Sequence, residues 1–160
     1  MKSKAKPIES EAEARSYLLD LLARRDYPRS QLRQKLQQRE CPAEMAESLL
    51  NQFAAAGYQS DQRFVDAQVR QRLEQGQGRR KIEYDLRQKG VSAEMINTTL
   101  NNLDCKENQR ALEYYKRRYG DRPATDQKER AKRFRHMAGR GFGFDEINYA
   151  IRHQLSEEAQ

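Results

Sequence analysis

Two stretches fifty residues apart decide the fold: Cys41-Pro42-Ala43-Glu44-Met45 and Val91-Ser92-Ala93-Glu94-Met95. They share an Ala-Glu-Met triplet. At the same offset of 50, Leu32 meets Ile82, Leu36 meets Leu86, Leu50 meets Leu100 and Phe53 meets Leu103. A third copy follows at an offset of 51. There Gly90-Val91 matches Gly141-Phe142, Leu86 matches Met137, Ile96 matches Ile147 and Leu100 matches Ile151. One such pairing carries little weight. The joint run marks a repeat of about 50 residues, the sequence signature of stacked units that share their cores.

Each copy reads as three helices. In the first, Ala14, Tyr17, Leu18, Leu21 and Leu22 recur at helical spacing. Pro28 breaks the chain, and Arg29 or Ser30 opens a second helix with Leu32 and Leu36 inward. Pro42 suits the first turn of a third helix, where its missing N–H costs nothing. That helix carries Met45, Leu49, Leu50 and Phe53 and stops near Gly57. The second copy opens at Ser60-Asp61, a capping pair at a positive helix end. Phe64, Val65 and Val69 face inward, Gly76 and Gly78 turn the chain, and Ile82 and Leu86 mark the next helix. Gly90 ends it and Ser92 caps the last. In the third copy Leu112, Tyr115 and Tyr119 lead to a break at Gly120 to Pro123. Thr125 or Asp126 then opens a helix with Phe134 and Met137. Gly139, Gly141 and Gly143 form a loop before Ile147 and Ile151. The expected architecture is all-α: an elongated, curved array of three tandem three-helix repeats over 11–58, 59–106 and 107–156, after a flexible tail at 1–10.

Composition agrees. Leu, Ile, Val and Phe make up 27 of 160 residues, and 34% of the chain is charged. That is too little apolar material for one large core, but small cores spread along an array need less. No run approaches the roughly 18 apolar residues of a membrane span, and the polar start with Lys2, Lys4 and Lys6 has no secretory apolar core. Cys41 and Cys105 stand far apart in sequence, so a disulfide framework is not expected and a reducing cytoplasm is the simple reading.

Catalytic signals are missing from the sequence. His136 and His153 are 17 residues apart and neither cysteine neighbours a histidine, so no metal set or nucleophile–base pair is indicated and no cofactor is expected. Gly76-Gln77-Gly78-Arg79-Arg80-Lys81 lacks the Gly-Lys-Ser/Thr of a nucleotide loop and follows a predicted helix, so it reads as a turn. Gly139-Arg140-Gly141-Phe142-Gly143 reads as a helix end followed by a hydrophobic contact.

Charge is more informative. The formal net charge is +7, and the segment from Arg110 to Arg135 alone carries 10 basic against 4 acidic residues. Lys116, Arg117 and Arg118 are consecutive, as are Lys132 and Arg133. A smaller cluster is Arg79, Arg80 and Lys81. Clustered positive charge attracts phosphate backbones or an acidic protein face. Tyr114, Tyr115 and Tyr119 interleave with the basic run. The i, i+4 pair Tyr115 and Tyr119 suits packing, which leaves Tyr114 as the exposed ring.

At this point the residues resemble a known family. Gly57-Tyr58, Asp61, Arg63-Phe64, Gly78-x-x-Lys81-Ile82, Leu86 and Lys89-Gly90-Val91 resemble the central signature of RecX, the bacterial regulator of the RecA recombinase. Phe134, Met137, Arg140-Gly141-Phe142, Asp145 and Ile147 resemble its C-terminal motif. The resemblance covers roughly residues 12 to 155. It implies tandem three-helix repeats and a non-enzymatic regulator; a cytoplasmic monomer is the further expectation. Such proteins bind in the groove of the RecA filament on single-stranded DNA, block its extension or promote its disassembly, and so lower recombination, ATP hydrolysis and co-protease activity. Weak contacts spread over an array sum by effective concentration. The expected contacts are Arg70, Arg79, Arg80, Lys81, Arg87 and Lys89 in the middle repeat. In the third they are Lys116, Arg117, Arg118, Lys132, Arg133, Arg135 and Arg140. Whether each meets DNA phosphate or acidic RecA surface stays open, and weak duplex binding is a further expectation. The competing reading is a DNA-binding helical protein that acts without RecA. A helix-turn-helix reader concentrates its base contacts on one recognition helix, whereas these basic residues spread over two repeats.

Overall fold

The computed structural model describes residues 4–156. Among them every regular element is a helix. The first triplet is α1 (Glu11–Arg24), α2 (Arg29–Gln38) and α3 (Ala43–Ala55). The second is α4 (Asp61–Glu74), α5 (Arg79–Gln88) and α6 (Ala93–Asn102). The third is α7 (Glu107–Tyr119), α8 (Gln127–Gly139) and α9 (Phe144–His153). The chain forms two compact bodies. One holds residues up to Ala67 with Leu86–Met95, and the other Gln68–Asp85 with residues from Ile96 onward.

The repeat in sequence is a repeat in burial. Buried, half-buried and exposed positions follow the same order, residue for residue, over 31–46 and 81–96. The first core gathers Ala14, Leu18, Leu32, Leu36, Leu49, Leu50 and Phe53, with Tyr17, Leu22 and Met45 packed against it. The third gathers Ala111, Leu112, Tyr115, Met137, Phe142, Ile147 and Ala150. In the middle triplet Phe64, Val65, Val69, Ile82, Leu86, Val91, Ile96 and Leu100 are all buried. Leu103 departs from its counterpart: Phe53 is buried, Leu103 exposed.

Helix starts follow cap chemistry. Ser10 accepts from the Glu13 N–H (3.2 Å), Ser60 from Arg63 N–H (3.1 Å), Ser92 from Met95 N–H (3.1 Å) and Asp126 from Glu129 N–H (2.7 Å). Each satisfies an otherwise orphaned donor. Pro42 stands one residue earlier than expected, as the cap of α3 rather than its first helical residue. Cysteines 41 and 105 are both free.

Part of the segment expected as a free tail is tied down. Ile8 is buried, its N–H donates to Arg39 O at 2.8 Å, and Arg39 Nε donates to Lys6 O at 2.8 Å. The physical reason is that Ile8 supplies an apolar side chain to the first core. Residues 1–3 of that expected tail, and the end of the chain past 156, lie outside the described residues.

Two contacts recur from repeat to repeat. The Arg29 N–H that opens α2 donates to Asp61 Oδ1 (2.8 Å), and the Arg79 N–H that opens α5 donates to Glu107 Oε2 (3.1 Å). In each case a carboxylate at the start of the following triplet neutralises a helix N-terminus. The guanidinium of Arg29 then reaches Asn51 Oδ1 (2.7 Å), as that of Arg79 reaches Asn101 Oδ1 (2.9 Å). The second contact joins a helix end to the start of a preceding helix. Ser30 Oγ donates to Lys89 O (2.6 Å), and at the equivalent place Arg80 N–H donates to Gly141 O (3.1 Å). Gly141 has φ +102°, and a Cβ there would stand 2.6 Å from Lys81 N, so only glycine fits this approach.

Candidate nucleic-acid and protein interface

The side chains sort the expected basic residues into engaged and free. Arg79 Nε donates to Glu83 Oε1 at 2.7 Å, besides its bond to Asn101. Lys81 Nζ lies 3.8 Å from Asp85, whose carboxylate also accepts from Arg72 at 2.6 Å. The run Arg79-Arg80-Lys81 therefore does not act as one cluster. Its first and third members are neutralised on their own helix, an i, i+4 arrangement in both cases. Arg80 is exposed and makes no ion pair among the described residues. Lys89 is half-buried with its ammonium 5.8 Å from the Phe64 ring. Arg70 and Arg87 are exposed.

In the third triplet Arg133 departs most from expectation. It is 6% exposed. Its guanidinium donates to Tyr115 Oη (3.1 Å), Arg122 O (2.8 Å) and Glu129 Oε1 (3.1 Å), and lies 4.3 Å from the Tyr119 ring centre. Burial works against its charge, yet the bonds to Tyr115 and Glu129 outweigh that and leave its pKa above the ordinary guanidinium value. A side chain with this many internal partners is a core strut, so Arg133 leaves the set of surface contacts. Arg140 is also partly committed. It donates to Gln75 O (2.6 Å) and stacks 5.0 Å from the Tyr114 ring. Tyr114 is itself half-buried rather than the free ring expected. Its hydroxyl meets His136 Nε2 at 2.7 Å, and its ring stacks on that imidazole at 5.7 Å.

What remains open is a set of cations on one body. Lys132 and Arg135 are exposed on α8 and Arg117 on α7. Arg118 is exposed with its guanidinium 5.8 Å from the Tyr119 ring, and Lys116 reaches only Ser156 O, at 3.4 Å. The structure adds Lys128, exposed one turn before Lys132. Lys128, Lys132 and Arg135 stand at i, i+4 and i+7 and so form one stripe along α8. That spacing was readable in the sequence. Arg130 and Arg152 are added too, both exposed beside a groove of about 590 Å³ lined by Pro123, Phe134, Ile151 and Leu155. Glu129 in α8 and the capping Asp126 are the acidic groups on this helix, but Glu129 is turned to Arg133 and Asp126 to the helix N-terminus. The stripe is left with little local opposition.

The remaining chemistry is quiet. Burial pushes the thiols of Cys41 and Cys105 above their ordinary 9.0, which keeps them protonated and poorly nucleophilic. Burial first, then Arg118 and Arg140, hold the His136 imidazole below its ordinary 6.5. Among the described residues no group of three His, Cys, Asp or Glu could hold a metal ion. No helix there is long and apolar enough to cross a membrane.

Three family profiles match in succession: the first three-helix domain of RecX over residues 14–53, the second over 60–100 and the third over 106–151. The chain belongs to the RecX family. Among RecX relatives, the regulatory protein RecX of Chromohalobacter salexigens is 41% identical over 143 residues, 89% of this chain and 93% of that protein. The regulatory protein RecX of Pseudomonas fluorescens is 32% identical, over 81% and 84% of the two chains. Among solved structures, RecX from Lactobacillus salivarius superposes with a TM-score of 0.76 at 17% identity, covering 90% of this chain and 96% of that one. A second crystal structure, of a regulatory protein RecX, gives 0.73 at 23% identity, over 89% and 71%. These two establish the fold. The identity to the named relatives places this RecX-family chain among regulatory proteins.

Proposed function

We propose that this chain is a negative regulator of RecA. It acts as a monomer in the cytoplasm, binds in the groove of the RecA filament on single-stranded DNA, and blocks filament extension or promotes disassembly. Recombinase, ATPase and co-protease activities of RecA fall as a result. The observation that carries the reading is the exposed cationic stripe Lys128, Lys132 and Arg135 along α8, on a chain of the RecX family whose α7 also exposes Arg117. Positive side chains without internal partners are available to phosphate or to an acidic protein face. Arg70, Arg80, Arg87, Lys116 and Arg118 are secondary contacts on the same argument. Arg79, Lys81, Lys89 and Arg140 contribute less, because each is already committed within the fold.

The test is the ATPase of RecA on single-stranded DNA with this protein added below stoichiometry. Inhibition at a small molar fraction supports the regulatory reading, since capping or disassembly acts on many subunits at once. Absence of inhibition together with tight, sequence-specific duplex binding would sink it in favour of a DNA-binding protein that works without RecA.

A further inference from the structure

Among the described residues, the two most exposed large apolar side chains are Phe144, 66% exposed, and Tyr84, 65% exposed. Both belong to elements that meet at Arg80. Tyr84 lies one turn further along α5, where i, i+4 side chains are neighbours about 5–6 Å apart at Cβ. Phe144 follows Gly143, and a Cβ on Gly143 would stand 3.4 Å from Arg80 Nε. The juxtaposition is fixed by the Arg80 N–H to Gly141 O bond at 3.1 Å and the Gly78 N–H to Arg140 O bond at 2.7 Å. Phe144 is steadied from below by Phe134, with ring centres 5.7 Å apart. Large rings are costly to leave in water. Two such rings on elements that meet at one exposed guanidinium suit a planar ligand.

We infer that Tyr84, Arg80 and Phe144 form a stacking site for unpaired bases of single-stranded nucleic acid. Tyr84 and Phe144 offer ring faces to bases, and Arg80 offers its guanidinium to a phosphate or to the edge of a stacked base. Stacking carries more of the binding than charge here. Asp145 and Glu146 open α9 next to Phe144, and Glu146 Oε2 approaches the same point over Gly143 that Arg80 does. Their charge opposes phosphate, and they do not oppose the face of a neutral base. The inference deepens the DNA-facing part of the proposed function.

The experiment is fluorescence anisotropy of labelled oligodeoxythymidylate with the purified full chain, across a salt series. Tyr84→Ala and Phe144→Ala should each weaken binding about 5- to 100-fold. Neither should change the slope of log affinity against log salt, because neither removes a cation. Tyr84→Phe should stay within about twofold of wild type, because the ring face survives. Arg80→Ala should flatten the slope by about 0.7, and Glu146→Gln should tighten binding. The site is overturned if wild type does not bind the oligonucleotide or if both alanine variants bind as wild type does. It is equally overturned if Tyr84→Phe loses as much as Tyr84→Ala. Unchanged oligonucleotide binding with lost RecA inhibition would reassign the rings to a protein contact. Because the oligonucleotide assay contains no RecA, wild type that binds as predicted yet fails to inhibit RecA would sink the regulatory reading and leave the stacking site standing.

Discussion

At position 133 a guanidinium fills the slot that Leu32 and Ile82 fill in the two earlier repeats, all three being buried. The third repeat stays folded around this charge because Tyr115, Arg122 and Glu129 take up its donors. Removing the side chain strands those acceptors and opens a cavity. Arg133→Ala should therefore cost about 2–4 kcal/mol, read as a lower midpoint in chemical denaturation. Arg133→Met should cost less, because it refills the volume. A cost near zero for alanine would mean the guanidinium is in water. From composition alone Arg133 is one more cation in a basic run. Its burial was nonetheless legible, since an offset of 51 sets it against Ile82. Tyr114 was not legible in this way, because its partner His136 lies on another helix. That pair gives a pH prediction. Protonation of His136 is disfavoured in the folded state, so the unfolded chain binds the proton more readily. The contribution is fully present above about pH 6.5 and is lost as pH falls through the lower folded value. His136→Gln should lose less thermal stability than wild type between about pH 7 and about pH 5. Equal losses would put the imidazole in free solvent.

Among the helices, the recurring clasp explains why the repeat could be read so far. The apolar positions of α2 and α5 coincide because each packs the same way, and each helix start meets a carboxylate from the next triplet. Asp61→Ala leaves the Arg29 N–H and the Gln59 side chain short of an acceptor. It should cost about 1–2 kcal/mol. Glu107→Ala should cost a similar amount, with Arg79 N–H and Arg110 losing their shared partner. Urea denaturation of each single variant checks this, and additivity in the double variant is expected because the two sites share no residue. Gly141→Ala should cost more than either, since the new Cβ meets the Lys81 backbone at a positive φ. The clasp carboxylates themselves were not legible. A charged residue at a helix start reads as a dipole partner for its own helix, and nothing local says that Asp61 serves α2 as well. Exposed rings are a similar case: Tyr84 and Phe144 stand two residues after the buried Ile82 and Phe142, and show their exposure only once the turns are placed.

On the scale of the whole molecule, net charge and charge placement make separable claims. Replacing Lys128, Lys132 and Arg135 with alanine takes the formal charge from +7 to +4 by removing three cations. Replacing Lys4 and Lys6, exposed residues ahead of α1, together with Arg24, exposed at the end of α1, removes the same number of charges elsewhere. If attraction to DNA reflects only the overall excess, both variants weaken binding equally. If it reflects the stripe, only the first does. A phosphate contact on a single strand contributes about 0.7 to the salt slope, so losing three should flatten it by about 2. The control should leave the slope within error, because long-range attraction between exposed charges is screened beyond about 8 Å at physiological ionic strength. The stripe variant should also need more protein for half-inhibition of the RecA ATPase, with the difference shrinking as salt rises. Circular dichroism should be unchanged in both, since none of the six side chains takes part in a core. Equal slopes for the two variants would assign binding to the molecule's average charge and remove α8 from the interface.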